Sequence, residues 1–194
     1  MKNELLYSPL GGAGEIGMNM NLYAYGEPDN HKWIIVDIGV TFADDTYPGI
    51  DLIYPDAGFI NDKKDNLLGI ILTHAHEDHI GAVVYVWPKL KCQIYATPFT
   101  AALLIEKFKE KKIDITNYLK IVELGGKINL TPFKIEFVTL THSIAEPNGL
   151  KIDTPSGTIF HTGDWKYDPD PLVGDKINSS RLKEIGEEGV LAMI

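Results

Sequence analysis

Three of the chain's six histidines and two carboxylates fall between His74 and His79, in the stretch GIILTHAHEDHIG. Imidazoles and carboxylates are costly to bury unless something compensates them, yet this group follows directly on the apolar run Ile70-Ile71-Leu72. If a strand ends near Thr73 in an extended turn, His74 and His76 project to the same side, because alternate residues share a face. Asp78 and His79 then open the following helix, whose free amides and dipole suit a carboxylate. Two separated pairs of donors in so short a stretch can serve two adjacent cations. Structural zinc sites are usually closed by four ligands, often thiolates, whereas catalytic ones use histidine and carboxylate and keep a position open. This cluster holds no thiolate. A histidine-rich surface loop is the plain alternative, and the strand–turn–helix setting argues against it.

Such a site needs donors from elsewhere in the chain. His142 follows the apolar segment FKIEFVTLT, and Asp164 follows GTIFHT within HTGDWK. Each stands at the end of an apolar strand, as His74 does. One such residue alone would read as an ordinary turn group, but three equivalent strand ends in one chain are harder to dismiss. Asp37, after WIIV, is a further strand-end carboxylate, expected to orient a ligand histidine rather than to bind metal itself. His161, on a strand beside Asp164, reads as structural, and His31 in PDNHKW as a turn residue. Cys92, in KLKCQIYAT, reads as a small core residue.

The elements that must hold these residues are mostly short strands. Segments at 20–25, 33–38, 69–73, 93–97, 133–141, 157–162 and 189–194 are rich in β-branched and aromatic residues and bounded by Gly, Pro, Asn or Asp. In PFTAALLIEKFKEKK, Ala101, Leu104, Ile105 and Phe108 recur at helical spacing, with Thr97 as N-cap and Pro98 in the first position. HIGAVVYVW predicts a second, buried helix from His79 to Trp87, stopped by Pro88. GAGEIG matches a dinucleotide fingerprint only as letters, because a strand follows it and not a helix, so it reads as a hairpin turn. The thirty or so residues between the second and third strands are long for a loop. Their aromatics Phe42, Tyr47, Tyr54 and Phe59 are expected to pack that loop down, with part of 41–59 bordering the site. The whole pattern predicts α+β layering, sheets covered by helices.

The bulk composition sets the remaining bounds. A chain of 194 residues with 44% hydrophobic and 23% charged residues fits one globular domain. No run reaches the ~18 apolar residues of a membrane span. The opening MKNELLYSPLGG has no signal-like apolar stretch, and the single cysteine fits a reducing compartment, so a cytoplasmic location is expected. A net charge of −9 argues against gripping nucleic acid by bulk electrostatics, and the lysines of KFKEKK read as a solvated helix end. The apolar close, GVLAMI, reads as an interior strand, which predicts that the chain is the front part of a longer protein and tends to self-associate.

THAHEDHIGA fits the H-x-H-x-D-H signature of the metallo-β-lactamase superfamily. PLGGAGEIGMN, DIGVTFADDTYPGIDLIYPD, THSIAEPNGLKIDTPSG and HTGDWKYDPDP resemble, more narrowly, the ribonuclease J family, over essentially the whole chain. That resemblance implies a metallo-β-lactamase fold of αββα type, two mixed sheets between helices. Residues 1–194 would be the N-terminal part of that domain, without the family's β-CASP insertion and C-terminal regions. It implies one zinc ion on His74, His76 and His142. A second would sit on Asp78, His79 and Asp164, with Asp164 bridging, and its closing histidine would come from beyond this chain. One zinc at most would then be firmly held here, with negligible nuclease activity. It also implies 5′-to-3′ exonuclease and endonuclease action on an RNA substrate, catalysed through Asp78, His79 and Asp164, in a homo-oligomer without membrane contact. The ligand set alone would also permit a thioester or β-lactam hydrolase, and a non-catalytic metal-binding module is the rival of a different class.

Overall fold

The computed structural model describes residues 2–194. In chain order the elements are β1 (Glu4–Gly11), β2 (Met20–Gly26), β3 (Lys32–Val36), β4 (Thr41–Phe42), β5 (Leu52–Ile53), α1 (Gly58–Asn61), β6 (Leu67–Ile71), α2 (Glu77–Ile80), α3 (Val83–Leu90), β7 (Ile94–Ala96), α4 (Pro98–Glu110), β8 (Leu119–Ile121), β9 (Lys127–Leu130), β10 (Phe133–Thr139), β11 (Asn148–Thr154), β12 (Gly157–His161), α5 (Ser179–Glu188) and β13 (Ala192–Met193). One sheet runs β1-β2-β3-β6-β7-β8 and a second runs β13-β12-β11-β10-β9, with β4 and β5 forming a separate ribbon. Both large sheets are mixed. In the first, β1, β2 and β3 pair antiparallel, while β3, β6, β7 and β8 pair in parallel. In the second only β12–β13 is parallel.

The central strands read as unbroken apolar runs because both of their faces are covered. Successive residues point to opposite sides, so Ile35 and Ile70 enter one core while Ile34, Val36 and Ile71 enter another. The first core packs the outer face of the first sheet against Ile80, Val83, Trp87, Leu104 and Phe108 of α2, α3 and α4. The second fills the space between the sheets with Tyr23, Phe133, Phe137, Leu150 and Ile159. On the outer face of the second sheet, Val138 and Phe160 meet Ile185 of α5. The layering is the expected αββα.

Several local expectations are corrected. The helix read from His79 to Trp87 is two helices. The Ala82 amide donates to the Ile38 carbonyl, and the Asp78 carbonyl accepts from the Asn19 amide at 2.9 Å, so tertiary partners take the groups a continuous helix would pair. Pro88 does not stop α3. It lies inside it, and the helix ends at Lys91, in a left-handed conformation with φ 48°. Ile105 faces solvent, although Ala101, Leu104 and Phe108 are buried as the spacing implied. Within residues 2–194, GVLAMI contributes a short strand at a sheet edge. Ala192 and Met193 form β13, Leu191 and Ile194 also hydrogen-bond to the β12 strand and its extension, and Leu191 and Met193 are exposed.

Only two of the long loop's four aromatics pack it down. Phe42 is 70% exposed and Tyr47 52%, while Tyr54 stacks on Tyr85 and Phe59 meets Trp33 edge-on. KFKEKK is not simply solvated, since Lys107 pairs with Glu77 and Lys111 lies over the Tyr85 ring. β1, β4, β5, β8, β9, β11, α1 and α5 lie outside the segments expected from the sequence. β1 contains Pro9 and is half exposed, which an edge strand tolerates. β11 alternates Leu150 and Ile152 with polar residues after a Pro147-Asn148-Gly149 run that reads as a turn.

Candidate metal centre

Six of the seven residues singled out from sequence come together at one end of the sheets, where β3, β6, β10 and β12 finish, and the seventh, Asp37, lies directly behind them. His74 follows β6, His142 follows β10, and Asp164 follows β12. His76 precedes α2 with extended backbone, and Asp78 and His79 lie on α2. That short helix is fixed by contacts from outside it. Ile38 and Val40 donate to the carbonyls of His79 and Glu77, at 2.8 and 3.0 Å. A Cβ on Gly39 would lie 1.6 Å from the Asp78 carbonyl oxygen, so only glycine lets the chain after Asp37 pass this close to α2.

Two groups of donors form. The ring nitrogens of His74, His76 and His142 lie within 4.8 Å of one another, and so do the donor atoms of His74, His79 and Asp164. Asp164 faces both groups. Its Oδ1 is 3.5 Å from His79 Nε2 and its Oδ2 is 3.7 Å from His142 Nε2. Asp78 Oδ2 lies 3.6 Å from His79 Nε2, at the edge of the second group. His74 and His79 are buried at the back, while Asp164 and His142 open toward solvent.

The hydrogen bonds behind the donors fix their protonation. Thr73 has one hydroxyl proton and gives it to Asp37 Oδ2 at 2.7 Å. Toward His74 Nδ1, at 3.0 Å, the same oxygen can only accept, so His74 carries its proton on Nδ1 and turns the Nε2 lone pair into the site. Burial keeps that ring neutral, pushing its pKa down to about 3. Asp37 is fully buried and accepts from the Thr73 amide at 2.8 Å and from His79 Nδ1 at 2.8 Å. Burial alone would raise its pKa, but the charge on His79 more than reverses this and holds it below the ordinary carboxylate range. His79 shows the mirror effect. Burial would lower its pKa, and Asp37 and Asp164 instead lift it to about 10 when no cation is present. Asp164 is held down to about 2, first by its hydrogen bond to His79. Burial also lowers the pKa of His142.

Two contributors escaped the sequence reading. Thr73, legible only as a strand end, places its hydroxyl between Asp37 and His74. Asn19 closes the loop read as a hairpin turn, and it is also a site residue. Its Nδ2 lies 3.1 Å from the Asp78 carbonyl and 3.2 Å from His79 Nε2. Residues 12–19 connect antiparallel β1 and β2, as a hairpin turn does. His161 is buried, with Nδ1 2.8 Å from the Tyr23 hydroxyl, in no donor group. Cys92 packs at the rim of the first core, where burial pushes its thiol up to about 12. His31 bonds Glu4 at the surface.

A family model described as a beta-lactamase superfamily domain matches residues 32–182. Among curated proteins, the chain is 49% identical to a ribonuclease J of Sinorhizobium meliloti, over 98% of this chain and 34% of that protein. It is 39% identical to a ribonuclease J of Helicobacter pylori, over 100% of this chain and 28% of that protein. The chain thus spans about a third of the length of these relatives. Among solved structures, a protein of unknown function from Enterococcus faecalis superposes with a TM-score of 0.58 at 20% identity, covering 84% of this chain and 44% of that one. A metallo-β-lactamase-fold protein from Bacillus subtilis gives 0.54 at 19% identity, covering 84% and 64%. Both speak to fold alone. Among the described residues no helix is long and apolar enough to cross a membrane.

Proposed function

Because the chain belongs to the beta-lactamase superfamily, we propose that it is the N-terminal metallo-β-lactamase part of a ribonuclease J-like enzyme that hydrolyses RNA phosphodiester bonds with two zinc ions. The observation that carries this reading is the pair of donor groups sharing His74 and facing Asp164 from both sides. The donors fit such cations, since they are histidine and carboxylate, without thiolate, and one side is open. His74, His76 and His142 would hold one ion, and His79, Asp78 and Asp164 the other, with Asp164 between them. Zinc, when bound, lowers the pKa of a water to ~7 and neutralises charge on phosphoryl oxygens. The three-nitrogen group is the one proposed to keep its zinc more firmly.

The chain's own residues prepare this chemistry. Asp37 and Thr73 hold His74 and His79 in fixed tautomers and orientations. Asp164, ionised through the neutral range, offers one oxygen to each group. Asp78 supplies a further carboxylate at the mouth, and Asn19 steadies the carbonyl behind it. The open side at His142 and Asp164 admits a backbone phosphate. RNA as substrate rests on the likeness to proteins named ribonuclease J. The chain's acidity means that grip on the strand would come from the site cations and from residues outside this chain. A cytoplasmic location, homo-oligomeric assembly and inactivity of residues 1–194 alone belong to the same proposal.

The test is cleavage of 5′-phosphorylated single-stranded RNA by the full-length protein, beside a thioester and a chromogenic cephalosporin. His76→Ala and Asp164→Ala should each abolish RNA cleavage while leaving the circular dichroism spectrum unchanged. Full RNA cleavage by His76→Ala, or turnover of the cephalosporin or thioester in place of RNA, would refute the reading.

A further inference from the structure

We infer that Glu146, a residue outside both donor groups, is the positioning residue that fixes His142 by bracing its loop against the first turn of α4. The inference rests on the metal reading above and concerns what holds one of its ligands. His142 lies between two anchors. On its N-terminal side, Thr141 accepts from the Lys166 amide at 2.8 Å, and its hydroxyl accepts from the Asp168 amide at 3.2 Å. This ties the residue before His142 to the segment after Asp164. On its C-terminal side the Glu146 side chain reaches a neighbouring element, its Oε2 accepting from the Phe99 amide at 2.8 Å.

That amide is one of the unpaired donors at the start of α4. Thr97 occupies the cap position without a side-chain cap bond, and the first turn contains no acidic residue. Glu146 therefore supplies from another part of the chain the anionic acceptor that this helix end lacks. The residue adopts φ 53°, a conformation uncommon for a non-glycine residue and kept only where the surroundings over-determine it. Two contacts do so besides the carboxylate. The Glu146 carbonyl accepts from Asn148 Nδ2 at 2.7 Å, and buried Asn148 also donates its amide to the Thr73 carbonyl at 3.2 Å. Thr73 immediately precedes His74. Glu146 thus lies in a continuous run of hydrogen bonds from the His74 strand end, through the His142 loop, to α4. The same helix reaches α2 through Lys107 and Glu77, one residue before Asp78. α4 serves as a brace across both halves of the site.

The test separates the carboxylate from the backbone it sits on. Glu146→Gly accepts the left-handed conformation without strain but has no acceptor for Phe99, whereas Glu146→Gln keeps an acceptor oxygen at the same reach. In the full-length protein, zinc affinity is measured by chelator competition, and the visible spectrum of the cobalt-substituted protein reports ligand geometry, with His142→Ala as the reference for a lost ligand. Glu146→Gly should weaken the tighter zinc about 10-fold or more, the range for loss of a group that orients a ligand, and change the cobalt spectrum. Glu146→Gln should restore most of both, and metal-free Glu146→Gly should keep the circular dichroism spectrum of the parent. Unchanged affinity and spectrum in Glu146→Gly, or equal losses in Glu146→Gly and Glu146→Gln, would overturn the inference. A parent protein that binds no zinc, or an unaffected His142→Ala, would instead refute the metal reading beneath it.

Discussion

At the scale of single residues, the site is prepared more by Thr73 and Asp37 than their distance from solvent suggests. One hydroxyl proton decides which nitrogen of His74 is free, and one buried carboxylate serves Thr73 and His79 together. Thr73→Val keeps the shape of the side chain and removes both the donor to Asp37 and the acceptor for His74. Zinc affinity should fall ~10–100-fold, as for other groups that orient metal ligands, and Thr73→Ser should recover most of it. Isothermal titration with zinc checks both, and an unchanged affinity in Thr73→Val would remove the tautomer argument.

At the scale of elements, α5 is held to the second sheet by Arg181 as well as by Ile185. Arg181 reaches Glu136 on β10 through two bonds of 2.7 and 2.9 Å. Asn178 caps the helix by accepting from the Arg181 amide. The hydrogen bond from Arg181 holds the Glu136 carboxyl below its ordinary value, although burial opposes this. A carboxylate with a depressed folded pKa contributes stability above its unfolded value, near 4.5, and loses it as pH falls through the folded value. Arg181→Ala should therefore cost about 1–2 kcal/mol at pH 7, a figure reduced from that of a fully buried charged pair because both groups are partly solvated. The difference from the parent should shrink as pH drops below about 4.5. Denaturant unfolding across pH measures this, and a difference that stays constant to pH 3 would count against it.

At the scale of the whole molecule, the two large cores are built from apolar side chains, while the donor groups lie at the ends of the strands. Removing metal should then leave the fold intact and lower only its stability. A ligand at a hundred times its dissociation constant adds about 2.7 kcal/mol. For a chain of this size the melting temperature should fall by about 5–10 °C on chelation, with the far-ultraviolet circular dichroism unchanged at room temperature. Loss of secondary structure on chelation would mean that the metal organises the fold rather than decorating it.

Local and periodic features were readable from the residues alone. The apolar runs of β3, β6, β10 and β12 were legible because both faces of those strands are buried, and His74, His142 and Asp164 were legible because each directly follows one. α4 announced itself through its spacing and Thr97-Pro98. The remaining features arose wherever a distant partner outweighed a local preference. The helix after His79 breaks because Asn19 and Ile38 capture the backbone groups that would continue it. β11 exists because β10 and β12 flank it on either side, which outweighs its turn-like Asn-Gly start. The roles of Thr73, Asn19 and Glu146 depend on groups between 36 and 60 residues away in the chain, and pattern within a short window carries no trace of a hydrogen bond across that distance.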